Sequence, residues 1–365
     1  MNNLNLLDIC DYVVRRTASV ENYISTENML PNKGGICTPS NIPCGTAIEY
    51  KVGDILISNI RPYFQKIWQA NCDGACSADV LCIRSKNNVD SCYLYYMLSQ
   101  QAFFDYVMSG TKGCKMPRGD KKQIMQWKIS LPSLEEQKKI VDILSSLDDK
   151  IEVNRRINDN LEQQAQALYK QWFVDNRSEE WEEKSLGEII NIYDSLRRPL
   201  SGHQRDKMEK IYPYYGAASL MDYVDNYLFD GVYLLLGEDG TVVDNLGYPI
   251  LQYVWGKFWV NNHAHILTGA NGYSTETLYI LLKQTSVKSI VTGAVQPKIS
   301  QANLKSIQIV TPPIDLLDKF NKLITPLFDN IRNNIEQNHR LTTLRDTLLP
   351  KLMSGELSVE DVSVN

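Results

Sequence analysis

Two stretches of the chain place apolar and amide side chains at the spacing of a coiled coil. Between residues 134 and 173 such side chains recur three and four positions apart, at Ile140, Leu144, Leu147, Ile151, Asn154, Asn158, Leu161, Ala165 and Leu168. The same spacing returns later, at Phe320, Ile324, Leu327, Ile331, Asn334, Asn338, Leu341, Arg345 and Leu348. Alternating steps of three and four keep these positions on one stripe of a helix. The pattern therefore predicts two long helices that pair through this seam.

The second of these helices contains two prolines, Pro326 and Pro350. Proline lacks a backbone N–H, and its ring clashes with the preceding turn, so it usually kinks or ends a helix. We therefore expect the second helix to begin with a kink and to end early. Gly355, just beyond the pattern, suits a left-handed helix cap.

The helices belong to a tandem duplication. At an offset of 180 residues, positions 113–173 align with 293–353 without a gap. The identical pairs include Gly113/Gly293, Pro117/Pro297, Ile129/Ile309, Pro132/Pro312, Lys139/Lys319, Leu147/Leu327, Ile151/Ile331, Asn154/Asn334 and Asn158/Asn338. Two repeats of this length are domains rather than units of a solenoid.

A segment of short β-type runs precedes each helix. The first segment has candidate strands at 53–60, 66–70, 78–84 and 127–131, and an amphipathic helix at 92–108. The second has candidate strands at 231–237, 251–256, 257–260, 264–269 and 306–310, and a helix at 277–285. The sequence thus predicts an α+β chain with a globular domain (1–130), a helix (131–176), a second globular domain (177–311), a second helix (312–358) and a tail (359–365).

Composition fits a globular protein, with 43% apolar and 22% charged residues. The sequence has no run of about 18 apolar residues, and its first residues lack the pattern of a signal peptide. We therefore expect a cytoplasmic protein without a membrane segment. The net charge of −5 does not by itself indicate a nucleic-acid partner. Local clusters set a DNA-facing potential, however, and the first globular segment is mildly basic.

Cysteines point to free thiols rather than to a disulfide framework. All eight precede residue 115, and the chain is too long and too unevenly spaced for a disulfide-stapled domain. A zinc site built from four of them stays open as an alternative, although no CxxC pair or nearby histidine supports it. Free thiols, several of them buried in strands, are the favoured interpretation.

Catalytic motifs are scarce. The segment 237–242 lacks the lysine of a phosphate loop, and 311–314 lacks the acid or amide and the aromatic residue of the amino-methyltransferase signature. Asp120, Glu136 and Lys138 form a nuclease-like set, but an acidic residue in the first turn of a helix is expected on structural grounds. His263 and His265 are the only histidines at a conceivable metal spacing, and a surface or core role is favoured. We expect no catalytic and no metal site in this chain.

Four stretches carry a resemblance to a known family. Residues 131–173, LPSLEEQKKIVDILSSLDDKIEVNRRINDNLEQQAQALYKQWF, closely resemble the central conserved region of type I restriction-modification specificity subunits, and residues 340–359, RLTTLRDTLLPKLMSGELSV, resemble their distal conserved region. GDILISNIRPYF (53–64) and WEEKSLGEI (181–189) resemble motifs of their target recognition domains. Little of the chain precedes Leu7, so any proximal conserved segment is expected to be reduced.

This resemblance implies a non-catalytic subunit that recognises DNA. Two target recognition domains would each read one half of a bipartite, asymmetric site in double-stranded DNA. An antiparallel pair of long helices would set the spacing between the halves, with pseudo-twofold symmetry. The family also implies partners: methyltransferase subunits, expected to be two, and motor/endonuclease subunits. S-adenosylmethionine, ATP and Mg would belong to those partners, and no cofactor to this chain.

Candidate DNA-binding residues are basic and aromatic side chains near Gly and Pro, away from the apolar periodicity. They are Arg61, Lys66, Lys112, Lys115, Arg118, Lys121 and Lys122 in the first globular segment, and Arg197, Arg198, His203, Arg205, Lys207, Tyr214, Tyr215 and Lys298 in the second. Solvated surface is the alternative for each. The outward helix residues Glu135, Gln137, Glu152, Glu162 and Gln166 are expected to meet methyltransferase subunits, with plain solvent exposure as the alternative.

The repeat also predicts the register of the helix pair. In an antiparallel helix pair, the residue numbers of two facing positions add up to a constant, the index sum. An index sum of 492 pairs Asn158 with Asn334 and Asn154 with Asn338, with apolar residues on both sides. A slip by one heptad would bury an asparagine against aliphatic carbon, at a cost of about 1–3 kcal/mol.

Two other functions stay open: a self-contained DNA methyltransferase or nuclease, and a coiled-coil scaffold protein.

Overall fold

The computed structural model describes residues 3–18, 21–39, 45–111, 115–293 and 295–362. Lys112, Cys44 and Cys114 lie outside these ranges. The chain divides into two compact units: unit 1 comprises Met1–Val153 and Gln337–Asn365, and unit 2 comprises Asn154–Glu336. The division falls inside both long helices, whereas the sequence predicted domain boundaries at the helix ends. Each globular segment packs on the adjacent half of both helices, which explains the difference.

Unit 1 contains the first part of the element series. Its strands are β1 (Asn3–Asn5), β2 (Cys10–Tyr12), β3 (Arg16–Thr17), β4 (Ala47–Tyr50), β5 (Ile55–Ser58), β6 (Ile67–Gln69), β7 (Gly74–Cys76), β8 (Val80–Ser85) and β9 (Lys128–Ser130). Its helices are α1 (Leu6–Ile9), α2 (Ser91–Leu98), α3 (Gln101–Ser109), α4 (Lys121–Ile124) and the first half of α5 (Leu134–Tyr169). The strands form a four-stranded sheet in the order β2-β8-β5-β6, a three-stranded sheet β3-β4-β7 and the pair β1-β9.

The helix predicted at 92–108 is two helices. Asp90 caps α2, where its carboxylate accepts hydrogen bonds from the backbone N–H groups of Cys92 and Tyr93. The helix ends at Ser99, whose hydroxyl donates to the Tyr95 carbonyl at 2.7 Å. Gln100 then adopts an extended backbone before α3 begins. Serine competes for backbone hydrogen bonds in this way, and the apolar pattern continues across the break, so the periodicity alone did not reveal it.

Unit 2 repeats this series. Its strands are β10 (Glu182–Ser185), β11 (Ile190–Ile192), β12 (Tyr212–Tyr215), β13 (Leu220–Val224), β14 (Phe229–Asp230), β15 (Tyr233–Gly237), β16 (Leu251–Val254), β17 (Lys257–Val260), β18 (Ala264–Gly269) and β19 (Gln308–Thr311). Its helices are α6 (Leu186–Ile189), α7 (Gly202–Arg205), α8 (Thr275–Lys283), α9 (Gln301–Lys305) and the first half of α10 (Ile314–Ser354). The sheets have the orders β11-β18-β15-β16, β13-β12-β17-β14 and β10-β19.

The long helices form the base of each core. In unit 1, Ile140 and Leu144 of α5 join Leu349 and Leu352 of α10 in one buried cluster with residues of α2 and α3. In unit 2, α5 continues as a π-helical turn, Lys170–Asp175, which buries Phe173. The rings of Phe173 and Phe320 lie 4.8 Å apart in the unit 2 core.

The prolines do not end α10, so the predicted early end is wrong. The helix runs unbroken from Ile314 to Ser354 through Pro326 and Pro350. Both prolines are exposed, as are Lys322 and Asp346, whose carbonyls lose their helical donors. Water can therefore satisfy those carbonyls, while the buried face of α10 keeps its apolar contacts.

Candidate nucleic-acid interface

Each unit contains the same contact between two loops. In unit 1 the loop after β5 meets the loop before α4: Ile60 bridges Arg118, and the Arg61 N–H donates to the Pro117 carbonyl at 2.8 Å. In unit 2 the loop after β15 meets the loop before α9: Asp239 bridges Lys298, and the Gly240 N–H donates to the Pro297 carbonyl at 3.0 Å. We call residues 59–61 with 117–119, and 238–240 with 297–299, the loop clasps.

The unit 1 clasp presents cations to solvent. Arg118 pairs with Asp79 at 3.1 Å, and both side chains stay substantially exposed. Lys115 is exposed, and so are Lys121 and Lys122 in α4, whose first turn is capped by Asp120. Asp120 therefore serves as the cap of α4.

Arg61 occupies an unusual position in this clasp. Its backbone is left-handed, with φ of 50°, where Gly240 holds the equivalent place in unit 2. Its Nε is buried and makes no hydrogen bond within the described part of the chain. The exposed rings of Tyr63 and Phe64 follow directly, 4.6 Å apart. Arg61 thus lies at the root of a basic and aromatic surface.

Lys66 was predicted to face DNA, but its side chain makes contacts within unit 1. Its ammonium donates to the Thr26 carbonyl at 2.8 Å and lies 6.0 Å from the Phe64 ring centroid. The side chain is half-buried and ties the segment around residue 26 to β6. A sequence window cannot reveal this role, because the acceptor lies 40 residues away.

Three residues predicted to face DNA in unit 2 lie inside it. The Arg197 side chain is 14% exposed, and its guanidinium binds Glu238 Oε2 at 2.6 Å and the Ala264 carbonyl at 2.8 Å. Arg205 pairs with Asp222 at 3.0 Å and lies over the Tyr214 ring, which is fully buried. These three predictions are corrected, because acceptors within unit 2 bind both guanidinium groups and the Tyr214 ring lies in the core.

The remaining predicted residues of unit 2 differ in exposure. Arg198, His203 and Lys207 are exposed. Tyr215 is half-buried against Phe258, with ring centroids 5.9 Å apart. Lys298 is half-exposed and binds Glu238 Oε1 at 3.2 Å.

A buried polar network joins the loops of unit 2. His265 lies between two acceptors, with Nδ1 at 2.6 Å from Asp194 Oδ2 and Nε2 at 2.8 Å from the Ile299 carbonyl. Asp194 also accepts from the Ile266 N–H at 3.0 Å and from the Gln301 amide at 2.5 Å. Three segments far apart in sequence, around Asp194, His265 and Gln301, are thereby fixed together beside the clasp.

The electrostatics of this network favour the ionised carboxylates. Burial alone would raise the pKa of Asp194, but hydrogen bonds from His265, Ile266 and Gln301 outweigh it and hold that pKa below its usual value. Burial likewise opposes ionisation of Glu238, and the nearby Arg197, His265 and Lys298 lower its pKa overall. Asp194, Glu238 and His265 offer three ligand atoms within 4.8 Å of one another. Because Arg197 and Lys298 already neutralise these carboxylates, the arrangement is a salt-bridged network rather than a cation site.

The second histidine lies at the clasp surface. His263 Nδ1 is 2.7 Å from Asp239 Oδ1, and about half of the ring is exposed. Thus His263 has a surface role and His265 a core role. Among the described residues no cysteine belongs to a group of three metal-ligating side chains, so the zinc alternative gains no support there.

The helix seam contains the predicted positions on its buried side. Leu144, Ile151, Asn154, Ile324 and Ile331 are buried, and Leu147, Asn158, Leu161, Leu168, Leu327, Asn334, Asn338, Leu341 and Leu348 are half-buried. In unit 1 the guanidinium of Arg345 binds Asp148 at 2.6 Å, and Asn338 donates to the Ile151 carbonyl at 3.2 Å. The helix segments of this unit are therefore antiparallel.

The asparagines of unit 2 contact each other. Asn334 Nδ2 donates to Asn158 Oδ1 at 2.8 Å, the pair with the index sum of 492. Asn158 Nδ2 donates in turn to the Ile331 carbonyl at 3.3 Å. A polar contact in an otherwise apolar seam fixes one register against its neighbours.

Not all of the helix residues predicted to face partners are free to do so. Gln137 is buried, where its amide oxygen accepts from the Asp90 N–H at 2.9 Å. Glu162 accepts from Tyr279 at 3.1 Å and pairs with Lys283 at 3.3 Å. Gln166 is half-buried and donates to Glu162. Only Glu135 and Glu152 are exposed, because α2 and α8 cover the other positions.

No helix in the described part of the chain is both long and apolar enough to cross a membrane.

A family model for the type I restriction modification DNA specificity domain matches residues 15–163 and 178–344. The two matches span most of the chain, and the chain belongs to this family. The α+β fold with two repeated recognition domains, and the role in recognising DNA sequence, are thereby confirmed.

Known relatives agree with this assignment. The MjaIX specificity subunit of a type I restriction enzyme from Methanocaldococcus jannaschii is 28% identical, over 76% of this chain and 71% of the relative. The HindI specificity subunit from Haemophilus influenzae is 24% identical, over 92% of this chain and 94% of the relative. The crystal structure of a type I restriction-modification S subunit from M. genitalium shares the fold, with a TM-score of 0.53 at 19% identity over 96% of both chains.

Proposed function

We propose that this chain is the non-catalytic DNA-reading subunit of a type I restriction-modification complex, in which unit 1 and unit 2 each read one half of an asymmetric site. The repeated loop clasp carries this proposal. It recurs with the same backbone contacts in both units, yet the unit 1 clasp presents Arg118 and nearby lysines, while the unit 2 clasp presents Asp239, His263 and Lys298. One framework with two different surfaces suits a site whose halves differ in sequence.

The long helices set the spacer in this proposal. The 36 residues of α5 span about 54 Å and the 41 residues of α10 about 62 Å at 1.5 Å per residue. Both lengths exceed the roughly 34–36 Å of one DNA turn, the separation of half-sites in many dimeric readers. Each helix contributes to both units, and in this proposal its length sets the spacer between the half-sites.

Two methyltransferase subunits are the proposed partners on the helices, and motor subunits join through the complex. Each unit leaves apolar helix side chains exposed, Val153 and Leu344 in unit 1, and Ile157, Leu323 and Ile335 in unit 2. A partner subunit that covered these side chains would remove their apolar surface from water. Adenine methylation with S-adenosylmethionine, and ATP consumption with Mg, belong to those partners in this proposal.

Phosphate contacts are expected from the two basic residues at equivalent clasp positions, Arg118 and Lys298. Log affinity falls as log salt concentration rises. Replacing either residue by alanine in the complex with the methyltransferase should make this slope less steep by about one. Specificity should stay unchanged, because phosphate contacts position the protein without reading sequence. Fluorescence anisotropy with a cognate duplex at several salt concentrations measures the slope.

Lys51→Ala is the matched control for this test. Lys51 is exposed and precedes β5, whereas the clasp follows β5, so it lies at the other end of that strand. Its removal should leave the slope at the wild-type value. Equal slopes for the wild type and the Arg118, Lys298 and Lys51 variants would show that Arg118 and Lys298 do not contact DNA phosphates.

A further inference from the structure

The two units differ most in one edge strand. The sheets β2-β8-β5-β6 of unit 1 and β11-β18-β15-β16 of unit 2 have the same topology. The second sheet of each unit, β3-β4-β7 or β13-β12-β17-β14, has three strand positions that correspond between the units. In unit 1, β7 pairs with β4 on one side and has a parallel bridge to Ile24 on the other. In unit 2, β17 pairs with β14 on one side and runs parallel to β12 on the other. Unit 1 then adds β3 outside β4, whereas unit 2 adds β13 outside β12.

In the proposed function, the framework that the two units share positions DNA in the same manner in both. Two unlike half-sites require unlike reading surfaces, and β13 is a strand that unit 1 does not match at the equivalent edge among its described residues. The inference that follows rests on the proposed function.

In unit 2, β13 is the edge strand of the four-stranded sheet and pairs with β12, which pairs on its other side with β17. We call this edge hairpin, β12 with β13, the β12–β13 ribbon. Pro213 faces Tyr223 and Tyr214 faces Asp222, with a bulge at Tyr214/Tyr215. The connection, 216–219, contains only Gly, Ala and Ser, and the Gly216 N–H donates to the Ser219 carbonyl at 2.9 Å. Gly216 is buried and its carbonyl accepts from Gln252 at 3.0 Å, whereas Ala218 and Ser219 are exposed. The small side chains of Ala218 and Ser219 allow a close approach to another molecule.

The root of the ribbon is held rigidly. Asp222 accepts from Lys210 at 2.9 Å and from Arg205 at 3.0 Å. These contacts, with the Tyr223 backbone N–H, lower the pKa of Asp222 to about 2. The buried Tyr214 hydroxyl accepts from the Leu200 N–H at 3.0 Å. The ribbon is thus preorganised by groups outside its exposed face.

The outer strand exposes apolar side chains. Met221 is 54% exposed, and Leu220 and Tyr223 are also exposed. Apolar residues on a free edge strand promote aggregation unless they serve a purpose. Exposed cations, Arg198, His203 and Lys207, lie on the segment that leads into the ribbon. In a DNA groove, base edges lie between two phosphate backbones. Apolar side chains together with cations suit such a surface.

We propose that the β12–β13 ribbon enters the major groove of the half-site assigned to unit 2, where Met221 and Tyr223 contact base edges. The major groove is about 12 Å wide and admits a two-stranded ribbon. Apolar side chains there contact the methyl group of thymine, and the Tyr223 hydroxyl can donate to or accept from a base edge. Arg198 and Lys207 contact the adjacent phosphates.

The test uses the full chain with its methyltransferase partner in cells, and maps methylated adenines by single-molecule sequencing. The double change Met221→Ala with Tyr223→Ala should relax the bases of one half-site and leave the other half and the spacer unchanged. With purified complex, discrimination between the cognate duplex and one with that half scrambled should fall about tenfold or more. Leu246→Ala is the control, since Leu246 is 76% exposed in unit 2 but lies outside the ribbon. Its motif should be that of the wild type.

A second variant tests the ribbon without removing any of its side-chain contacts, in case the double change disturbs folding. Ala218→Glu puts a carboxylate on the exposed tip without disturbing a buried contact, and it should weaken binding at least tenfold through repulsion from phosphate. A wild-type complex that methylates no bipartite motif would refute the proposed function itself. A wild-type bipartite motif that both ribbon variants reproduce would overturn the ribbon assignment. Loss of assembly with the methyltransferase in both ribbon variants would also overturn the assignment and make the ribbon a protein contact.

Discussion

Asp194→Ala should destabilise unit 2 by about 3–5 kcal/mol, a range typical of removing one partner from a buried charged network. The Asp194 side chain is almost fully buried and accepts from His265, the Ile266 N–H and Gln301. Without the carboxylate, these donors stay buried with no acceptor, and Arg197 loses its ion pair at 3.4 Å. The loops that carry the unit 2 clasp would lose their common anchor.

Urea unfolding of the full chain, monitored by tryptophan fluorescence, measures this effect. Asp194→Asn keeps an oxygen acceptor for the Ile266 N–H but removes the charge, so it should cost less than the alanine change. Asp79→Ala is the control in unit 1, because Asp79 is partly exposed and forms an ion pair with the exposed residue Arg118. If Asp194→Ala and Asp79→Ala have equal, small effects, the network does not support the fold.

The Asp194 contribution should depend on pH with a defined sign. Its folded pKa lies below the usual value, so the stabilisation is fully present above about pH 3.9, the ordinary pKa of aspartate. It is lost as the pH falls below that value through the folded pKa. The difference in unfolding free energy between wild type and Asp194→Ala should therefore shrink as the pH falls below about 3.9. A difference that grows on acidification would contradict the ionised network.

Asn158→Leu should destabilise the helix pair of unit 2 by about 1–3 kcal/mol, whereas the double change with Asn334→Leu should recover most of that loss. The single change leaves the Asn334 amide without its acceptor in a half-buried seam. The double change places leucine against leucine. A double-mutant cycle should therefore give a coupling of about 0.5–3 kcal/mol. Near-additive effects would show that the two amides do not pair.

The double variant should also change function. With no polar contact at this position, the seam loses a determinant of register. A slip of one heptad moves a helix by about 10 Å, equivalent to about three base pairs. The variant complex should therefore methylate sites with more than one spacer length, which sequencing of methylated adenines detects. Ser146→Leu, on an exposed helix position, is the control and should keep the single wild-type spacer.

Local patterns predicted the elements and helix seam well. The three-and-four spacing located both long helices, and short apolar runs located β5, β8, β15 and β18. These features depend on neighbouring residues, which a sequence window contains. The unbroken α10 depends instead on exposure of Pro326 and Pro350, which follows from packing rather than from the prolines themselves.

The candidate site was harder to predict than the fold. Arg197 and Arg205 have the composition of DNA contacts, but their acceptors lie 41 and 17 residues away. Met221 and Tyr223 were missed because apolar residues in a strand normally indicate core. The available signal was that LMDYV (220–224) contains a charge between apolar residues, a pattern that suits an edge strand. Side-chain exposure is set by tertiary pairing, so it cannot be read from composition.

The central claim is that this chain directs methylation to an asymmetric site read in two halves. The most direct measurement is single-molecule sequencing of methylated adenines in cells that carry the methyltransferase partner, with and without this chain. The account predicts one bipartite motif with two different halves and a fixed spacer, present only when the chain is present. Methylation that is independent of the chain, or a single continuous motif, would contradict it.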